Sequence, residues 1–119
     1  MSGVVIVTGG SRGIGAATAL AAAREGHAVA VVFQREEARA AAVVAAIAAD
    51  GGTAAAIGGD VAQEDDVRRI FQTAADRFGP VTGLVNAAGI AGPFSTVAEL
   101  AAADIGRVLG INVAGTMLC

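Results

Sequence analysis

The sequence turns at Thr8-Gly9-Gly10-Ser11-Arg12-Gly13-Ile14-Gly15, which joins the apolar run at residues 4–7 to an alanine-rich segment with helical propensity. A strand, a glycine turn and a helix N-terminus in this order form a cradle for an anion. Glycine has no Cβ atom, so it adopts left-handed backbone angles and lets main-chain N–H groups approach a bound group. The free N–H groups and the dipole of the helix both favour negative charge there. The stretch therefore predicts a phosphate-binding turn.

Two common nucleotide-binding patterns do not fit this turn. The dinucleotide pattern GxGxxG fails because Thr18 stands where a third glycine would follow Gly13 and Gly15. The P-loop pattern fails because Ala16-Ala17 stand where a Lys and a Ser or Thr must hold phosphate and Mg²⁺. The turn is therefore not a P-loop.

A third pattern, the GxSxG nucleophile elbow of hydrolases, does match residues 9–13 and would make Ser11 a nucleophile. Such an enzyme also needs an acid and then a histidine after the serine. The only histidine is His27, and the only acid between them is Glu25, near the end of the helix that the loop starts. Because neither side chain can fold back to Ser11, we expect no hydrolase. A glycine turn without any ligand stays open as an alternative.

The remaining pattern is TGxxxGxG, and three further segments point the same way. They are Asp60-Val61, Asn86-Ala87-Ala88-Gly89 and Asn112 within residues 111–115. Together these segments resemble the short-chain dehydrogenase/reductase family along the whole chain, which corresponds to the N-terminal half of the family fold. Ala87 departs from the family pattern, because it replaces the second Asn of the NNAG motif.

The resemblance implies a nicotinamide cofactor and hydride transfer to or from a small carbonyl or alcohol substrate. It also implies that Asp60 contacts the adenine amino group; the alternative is a turn Asp that caps its own backbone. Small residues at 87–89 would let a cofactor lie against the main chain, and tight packing of two strands is an alternative explanation. The implied cofactor-binding residues are Thr8, Gly9, Ser11, Arg12, Gly13, Ile14, Gly15, Asp60, Val61, Asn86, Ala87, Ala88 and Gly89.

Asn112 matches the Asn of the family's catalytic helix, where the corresponding residue holds a water in the proton relay. The sequence places Asn112 within an apolar face at helical spacing, made by Ile105, Val108, Leu109, Val113 and Met117. A buried amide without partners costs on the order of 1 to 3 kcal/mol, so we expect its polar atoms to be bonded. The alternative to the relay is a structural Asn bonded to neighbouring backbone.

The rest of the family's catalytic machinery is absent from these 119 residues. The resemblance implies a Tyr proton donor, a Lys that lowers its pKa and a Ser that orients the carbonyl. Lowering the pKa of a phenol from about 10 toward neutrality needs an adjacent cation. The chain contains neither Tyr nor Lys, and it stops before the Ser and YxxxK positions. We expect the chain to be inactive alone; a non-catalytic nucleotide-binding module is the alternative.

The end of the second predicted strand favours NADP over NAD. An acid at this position accepts hydrogen bonds from the ribose 2′-OH of NAD, whereas an Arg attracts the 2′-phosphate of NADP. Here the sequence reads Phe33-Gln34-Arg35, and Arg12 stands in the glycine loop. Two cations would thus converge on a 2′-phosphate; the alternative is that both are only solvated.

Composition excludes several other functions. With a net charge of −3 and scattered arginines, the chain lacks the basic face that nucleic-acid binding needs. One His and one Cys cannot form a zinc site. No apolar run approaches the roughly 20 residues of a membrane span, and no basic segment precedes the first apolar run as in a signal peptide. The single cysteine, Cys119, suits a reducing compartment, so we expect a cytoplasmic protein.

Short apolar runs alternate with helical patterns along the chain. Strands are predicted at residues 4–7, 28–33, 54–57 and 81–86, and helices at residues 14–24, 36–49, 64–78 and 102–118. This alternation predicts one α/β dinucleotide-binding domain over residues 1–119, a Rossmann-type doubly wound parallel sheet with strand order 3-2-1-4. The fourth strand would leave an apolar edge, and in the family the matching last helix commonly joins subunits; we therefore expect a homo-oligomer.

Overall fold

Strands and helices alternate along the chain in the computed structural model, which describes residues 3–93 and 95–119. The strands are β1 (Val4–Thr8), β2 (Ala28–Phe33), β3 (Thr53–Gly58) and β4 (Val81–Asn86). The helices are α1 (Gly13–Arg24), α2 (Glu37–Ala49), α3 (Glu64–Phe78), α4 (Ala102–Leu109) and the short α5 (Thr116–Leu118). A 3-10 turn covers Val97–Glu99, and a π-helical segment, Gly110–Gly115, joins α4 to α5.

The four strands form one parallel sheet in the order β3-β2-β1-β4. This confirms the predicted strand order and the doubly wound α/β class. Val4 lies opposite Ala28 and Thr8 opposite Val32, so the carboxyl ends of β1 and β2 share one edge of the sheet. The order reverses between β1 and β4, and parallel α/β sheets bind ligands in the crevice at that point.

The central strands β1 and β2 are buried on both faces, and successive residues of a strand point to opposite sides. On β1, Val5 and Val7 pack into one apolar cluster, whereas Ile6 packs into the other. The first cluster includes the buried residues Ala19 of α1 and Ala40, Val43 and Ile47 of α2. The second includes Ile70 and Ala74 of α3. The result is a sheet between two helical layers.

The last helical stretch differs from the prediction of one continuous helix over residues 102–118. The helix widens into a π-helical segment that begins at Gly110 and ends at Gly115. Glycine has low helix propensity, which makes a departure from the α-helical bonding pattern less costly there. Gly115 is also buried, and a Cβ atom on it would lie 2.7 Å from Cγ2 of Val61. The widened segment thus brings the helix backbone directly against the end of the β3 exit loop.

The apolar face of this last stretch is exposed, so the expectation that Asn112 lies buried within it is wrong. Ile105 is 42% exposed, Leu109 53%, Val113 50% and Met117 81%. Asn112 itself is exposed. The physical reason is that the stretch packs on the rest of the chain through a side that carries Gly115, Asn112 and the half-buried Val108, whereas the other predicted apolar residues lie away from it.

Among the residues described, no helix combines the length and the apolar character needed to cross a bilayer.

A substitution at Ile6 tests whether the buried apolar residues of the sheet form the core of the protein. Its side chain is 0% exposed, so Ile6→Ala should lower the free energy of unfolding by about 2 to 5 kcal/mol through lost burial and a cavity. Ile14 is the matched control, since it is 82% exposed and its change to Ala should cost no more than about 0.5 kcal/mol. Urea unfolding followed by circular dichroism measures both. Equal losses in the two variants would contradict the described core.

Candidate functional site

An elongated cleft of about 920 Å³ runs along the edge where the four parallel strands end. Four loops and one helix line it. The glycine loop contributes Gly9, Ser11, Arg12, Gly13, Ile14 and Gly15; the β2 exit contributes Val32, Phe33, Gln34, Arg35 and Glu36. The β3 exit contributes Gly59, Asp60, Val61, Ala62 and Gln63; the β4 exit contributes Ala87, Ala88, Gly89 and Ile90; the helical wall contributes Gly106, Arg107, Gly110 and Ile111.

The glycine loop leaves a cradle at the start of α1. Gly9 has φ +62°, and a Cβ atom on it would lie 2.7 Å from the carbonyl oxygen of Ala87, so this position has no room for a side chain. Gly13 also has positive φ, but a Cβ atom there would meet nothing within 4 Å. No side chain caps α1, and its first backbone bond runs from Ala16 N–H to Arg12 O at 3.2 Å. Within residues 3–93 and 95–119, the N–H groups of the first turn are therefore free for an anion.

Thr8 holds the two loops at the centre of the site together. Its hydroxyl donates to the carbonyl of Val85 at 3.4 Å and accepts from the backbone N–H groups of Ala87 and Ala88 at 3.2 Å each. One donor and two acceptor positions are the full capacity of a hydroxyl. Thr8 is only 1% exposed and does not line the cleft. Its place in the fold is that of a residue that positions the loops.

Two exposed arginines, Arg12 and Arg35, line the cleft from neighbouring loops. Within residues 3–93 and 95–119, neither forms an ion pair, whereas four other arginines do. Glu36 adjoins Arg35, but its carboxylate lies 3.4 Å from Nε of Arg39. The acid next to Arg35 is thus partly neutralised by another residue.

Asp60 forms a turn by bonding nearby backbone, which is the alternative that the sequence left to a contact with adenine. Its Oδ1 accepts from Ala62 N–H at 2.9 Å, and its own N–H donates to Oδ2 of Asp66 at 2.8 Å. Asp60 also lines the cleft, and its Oδ2 makes no hydrogen bond to the described residues. A turn role and contact with a ligand are therefore compatible. Val61, the next residue, is buried.

The β4 exit lines the cleft through Ala87, Ala88 and Gly89, whereas Asn86 lies at the end of β4 opposite Thr8 and does not line it. The close approach of Ala87 to Gly9 also shows the tight packing that was the alternative explanation for these small residues. Residues 87–89 therefore line the cleft, and Ala87 among them also packs tightly against Gly9.

Asn112 is bonded to backbone across the chain. Its Oδ1 accepts from Ile90 N–H at 2.9 Å, and its Nδ2 donates to Ile90 O at 2.8 Å. This pair of bonds is the structural role that the sequence left as an alternative. It ties the π-helical segment to the β4 exit loop, and Asn112 does not line the cleft. A part for Asn112 in a proton relay stays a prediction.

Sequence reasoning missed the helical wall of the cleft. Gly106 and Gly110 stand four residues apart on one face of the helix, and Arg107 lies beside them. A Cβ atom on Gly106 would meet nothing within 4 Å. The paired glycines were a signal, but their use depends on where the helix packs. Other cleft residues missed in the sequence are Val32, Phe33, Gln34, Glu36, Gly59, Ala62, Gln63, Ile90 and Ile111.

The structure also bears on the rejected alternatives. Ser11 follows the carboxyl end of β1, whereas His27 precedes β2 and accepts a hydrogen bond from Gly3 N–H at 3.2 Å. In parallel strands these positions lie at opposite edges of the sheet, roughly 15 Å apart for a five-residue strand. A Ser-His pair is thus excluded. No group of three or more His, Cys, Asp or Glu among the described residues could hold a metal ion.

Two groups outside the cleft, Cys119 and Arg68, have shifted pKa values. Burial raises the pKa of the Cys119 thiol, which disfavours the thiolate. A hydrogen bond to Glu64 raises the pKa of Arg68 on the surface of α3.

Comparison with known proteins places the chain among dehydrogenases. The sequence profile of the short chain dehydrogenase family matches residues 3–119. The uncharacterized oxidoreductase YgfF of Escherichia coli is 43% identical over 116 residues, which cover 98% of this chain and 47% of that protein. A 3-oxoacyl-[acyl-carrier-protein] reductase of Synechocystis is 41% identical over 116 residues, with the same coverage of 98% and 47%.

Solved structures agree with these sequence matches. A short-chain dehydrogenase/reductase of Serratia marcescens, solved as a mutant, superposes with a TM-score of 0.92 at 38% identity. The match covers 98% of this chain and 47% of the Serratia chain. The chain thus spans about half the length of the relatives it matches.

Thr8→Val tests the hydroxyl that joins the loops. The change keeps the shape of the side chain but leaves the Ala87 and Ala88 N–H groups unpaired, so we expect a loss of about 1 to 3 kcal/mol in the free energy of unfolding. Thr18→Val is the control, because the hydroxyl of Thr18 bonds only within α1, to Ile14 O at 2.7 Å. Denaturant unfolding compares the two variants. A cost for Thr8→Val no larger than that for Thr18→Val would refute the role of Thr8.

Proposed function

The chain belongs to the short-chain dehydrogenase family, and from this we propose that it forms the dinucleotide-binding part of an NADP-dependent oxidoreductase. The observation that carries the proposal is the meeting of the α1 N-terminus with Arg12 and Arg35 in one cleft, where within the described residues no side chain caps the helix and neither arginine forms an ion pair. Helix N-termini of this kind bind phosphate groups, and free arginines bind them further.

The cleft residues fit a dinucleotide. The volume of the cleft, about 920 Å³, lies within the range found for ligand clefts in proteins. The open space over Gly13 and the free N–H groups of α1 suit a pyrophosphate. The small residues Ala87, Ala88 and Gly89 would let the cofactor lie against the main chain. When bound, the nicotinamide ring would supply the hydride acceptor or donor of the reaction.

Preference for NADP is supported by Arg12 and Arg35. Both guanidinium groups border the cleft at the end of β1 or β2, where a ribose 2′-phosphate is recognised in this fold. The ion pair of Glu36 with Arg39 reduces the repulsion that this acid would exert on a phosphate. At the β3 exit, Asp60 and Val61 would contact the adenine ring.

The substrate of the whole enzyme would be a small molecule with a carbonyl or alcohol group. The relative from Synechocystis is named for the reduction of a 3-oxoacyl group, a carbonyl substrate of this kind. In these 119 residues there is neither Tyr nor Lys, so the chain would bind cofactor without turnover. Asn112 would take part in the proton relay only in the presence of such groups. A cytoplasmic location accords with the single cysteine.

One alternative is a nucleotide-binding module that has no catalytic activity. Measured turnover separates the two. Dehydrogenase or reductase activity in the natural product that contains this sequence supports an enzyme, and cofactor binding without any activity in that product supports the module.

Self-association is part of the proposal. The open edge of the sheet at β4 carries Leu84, which is 36% exposed, and the last helical stretch exposes Leu109 and Met117. Exposed strand edges and apolar patches both favour contact with another copy. We therefore propose a homo-oligomer.

Charge introduced on the exposed helical face tests this association. Leu109→Lys with Met117→Lys should shift the chain toward monomer in light scattering, because a charge at an apolar interface must be desolvated. Ala38→Lys with Ala41→Lys, on the exposed side of α2, is the control and should leave the oligomeric state unchanged. A monodisperse monomer of the unmodified chain at high concentration would contradict the proposal.

Reversal of charge in the cleft tests the cofactor. Arg12→Glu with Arg35→Asp should weaken NADPH binding about tenfold or more relative to NADH, because only NADPH carries the 2′-phosphate. Arg24→Glu with Arg77→Asp makes the same change in net charge outside the cleft and should leave the ratio of the two affinities unchanged. Isothermal calorimetry measures both dissociation constants. Equal losses for NADPH and NADH would refute the preference for NADP.

A further inference from the structure

We infer that Asp66 and Arg69 of α3 are positioning residues that fix Asp60 for recognition of the amino group of adenine. The inference rests on the proposed function, because it concerns the β3 exit of the same cleft. Neither Asp66 nor Arg69 lines the cleft itself.

Asp66 reaches back from the first turn of α3 to the loop that precedes it. Its Oδ2 accepts from Asp60 N–H at 2.8 Å. The carboxylate is 37% exposed, so it is shielded from water more than a free surface acid. A hydrogen bond to an ionised acceptor is stronger than one between neutral groups. Asp66 therefore holds the backbone at the point where the Asp60 side chain begins.

Arg69 contacts the two residues that precede Asp60, the last residue of β3 and the first of the loop. Its Nη2 donates to Gly58 O at 2.7 Å and lies 3.8 Å from Oδ1 of Asp66. A Cβ atom on Gly59 would lie 3.0 Å from the same nitrogen and 2.7 Å from Cδ1 of Ile70. The guanidinium thus lies directly against the Gly59 backbone.

Residues 58–60 are consequently held at three successive points. Arg69 binds Gly58, and Gly59 N–H donates to Phe33 O at 2.9 Å. Asp66 binds the third residue, Asp60. With the backbone held in this way, the bond from Ala62 N–H to Asp60 Oδ1 at 2.9 Å fixes the carboxylate as well.

A carboxylate held in one orientation discriminates between bases. Ionised Asp60 can only accept hydrogen bonds, and its Oδ2 has none from the described residues. The amino group of adenine donates to such an oxygen, whereas the carbonyl that replaces it in hypoxanthine cannot and would be repelled. Asp66 and Arg69 would then contribute to base specificity through Asp60.

Asp65 provides a matched control within the same turn. Like Asp66, it is an acid near the N-terminus of α3, where negative charge stabilises the helix. It is exposed and forms no hydrogen bond with the loop among the described residues. Loss of Asp65 therefore reports the effect of helix charge alone.

The binding experiment titrates the chain with NADPH and with its hypoxanthine analogue in a calorimeter. Asp66→Ala should weaken NADPH about tenfold, the usual effect of losing a hydrogen bond to a charged group, and the analogue hardly at all. Asp65→Ala should change neither affinity. Asp66→Asn keeps an oxygen that can accept from Asp60 N–H and should restore most of the affinity for NADPH.

A double-variant cycle shows whether Asp66 acts through Asp60. Asp60→Ala with Asp66→Ala should bind NADPH no more weakly than Asp60→Ala alone, since the second change has nothing left to position. Additive losses, or equal weakening of NADPH and the analogue by Asp66→Ala, overturn the inference. If Asp66→Ala does not fold, Arg69→Met replaces it; a selective loss of about threefold for NADPH supports the inference, and no selective loss overturns it.

Hydrogen exchange tests the loop without any ligand. In the free chain, exchange of the Asp60 amide should accelerate about tenfold in Asp66→Ala and stay unchanged in Asp65→Ala. Unchanged exchange in Asp66→Ala overturns the inference. Absence of binding of NADPH and NADH to the unmodified chain would instead reject the proposed function, so the two failures are distinguished.

Discussion

The hydroxyl of Thr8 makes the contact on which the geometry of the cleft depends. It joins the carboxyl end of β1 to the β4 exit loop at the point where the strand order reverses. The neighbouring Gly9 has no room for a Cβ atom, so the two loops touch along their backbones. The β2 and β3 exits are placed relative to this junction, because β2 and β3 continue the sheet from β1.

Charge is distributed along the cleft in a way that the net charge of the chain does not suggest. The chain carries −3 overall, yet the glycine loop and the β2 exit present Arg12 and Arg35 beside a helix N-terminus that no side chain of the described residues caps. The acid Asp60 lies at the β3 exit, two strands away from β1. The positive end of the α1 dipole acts mainly within the first turn of that helix. The cleft is therefore positive beside α1 and negative at Asp60, and the sign of charge changes over a short distance. Such a cleft suits a ligand with phosphates in one part and a hydrogen-bond donor in another.

The last helical stretch serves the site on one side and leaves an apolar surface on the other. It contacts the β4 exit through Asn112 and the β3 exit through Gly115, and it walls the cleft with Gly106 and Gly110. Its exposed side carries the apolar residues around Leu109. A partner on that surface would therefore bear on a segment that is bonded to two walls of the cleft.

The amino-acid sequence by itself determined the alternation of strands and helices, the strand order and the glycine turn at the start of α1. Burial with a period of two or of about 3.6, and glycines at a helix start, are properties of neighbouring residues. Arg12 and Arg35 were found in the same way, because their positions follow directly from the ends of β1 and β2. Three contacts were decided only by the tertiary structure. The Thr8 hydroxyl bonds the backbone after β4, Asn112 bonds the backbone of Ile90, and Asp66 of α3 bonds Asp60 at the β3 exit. Those contacts depend on the parallel register of strands and on the close packing of segments remote in sequence, and no local pattern encodes either.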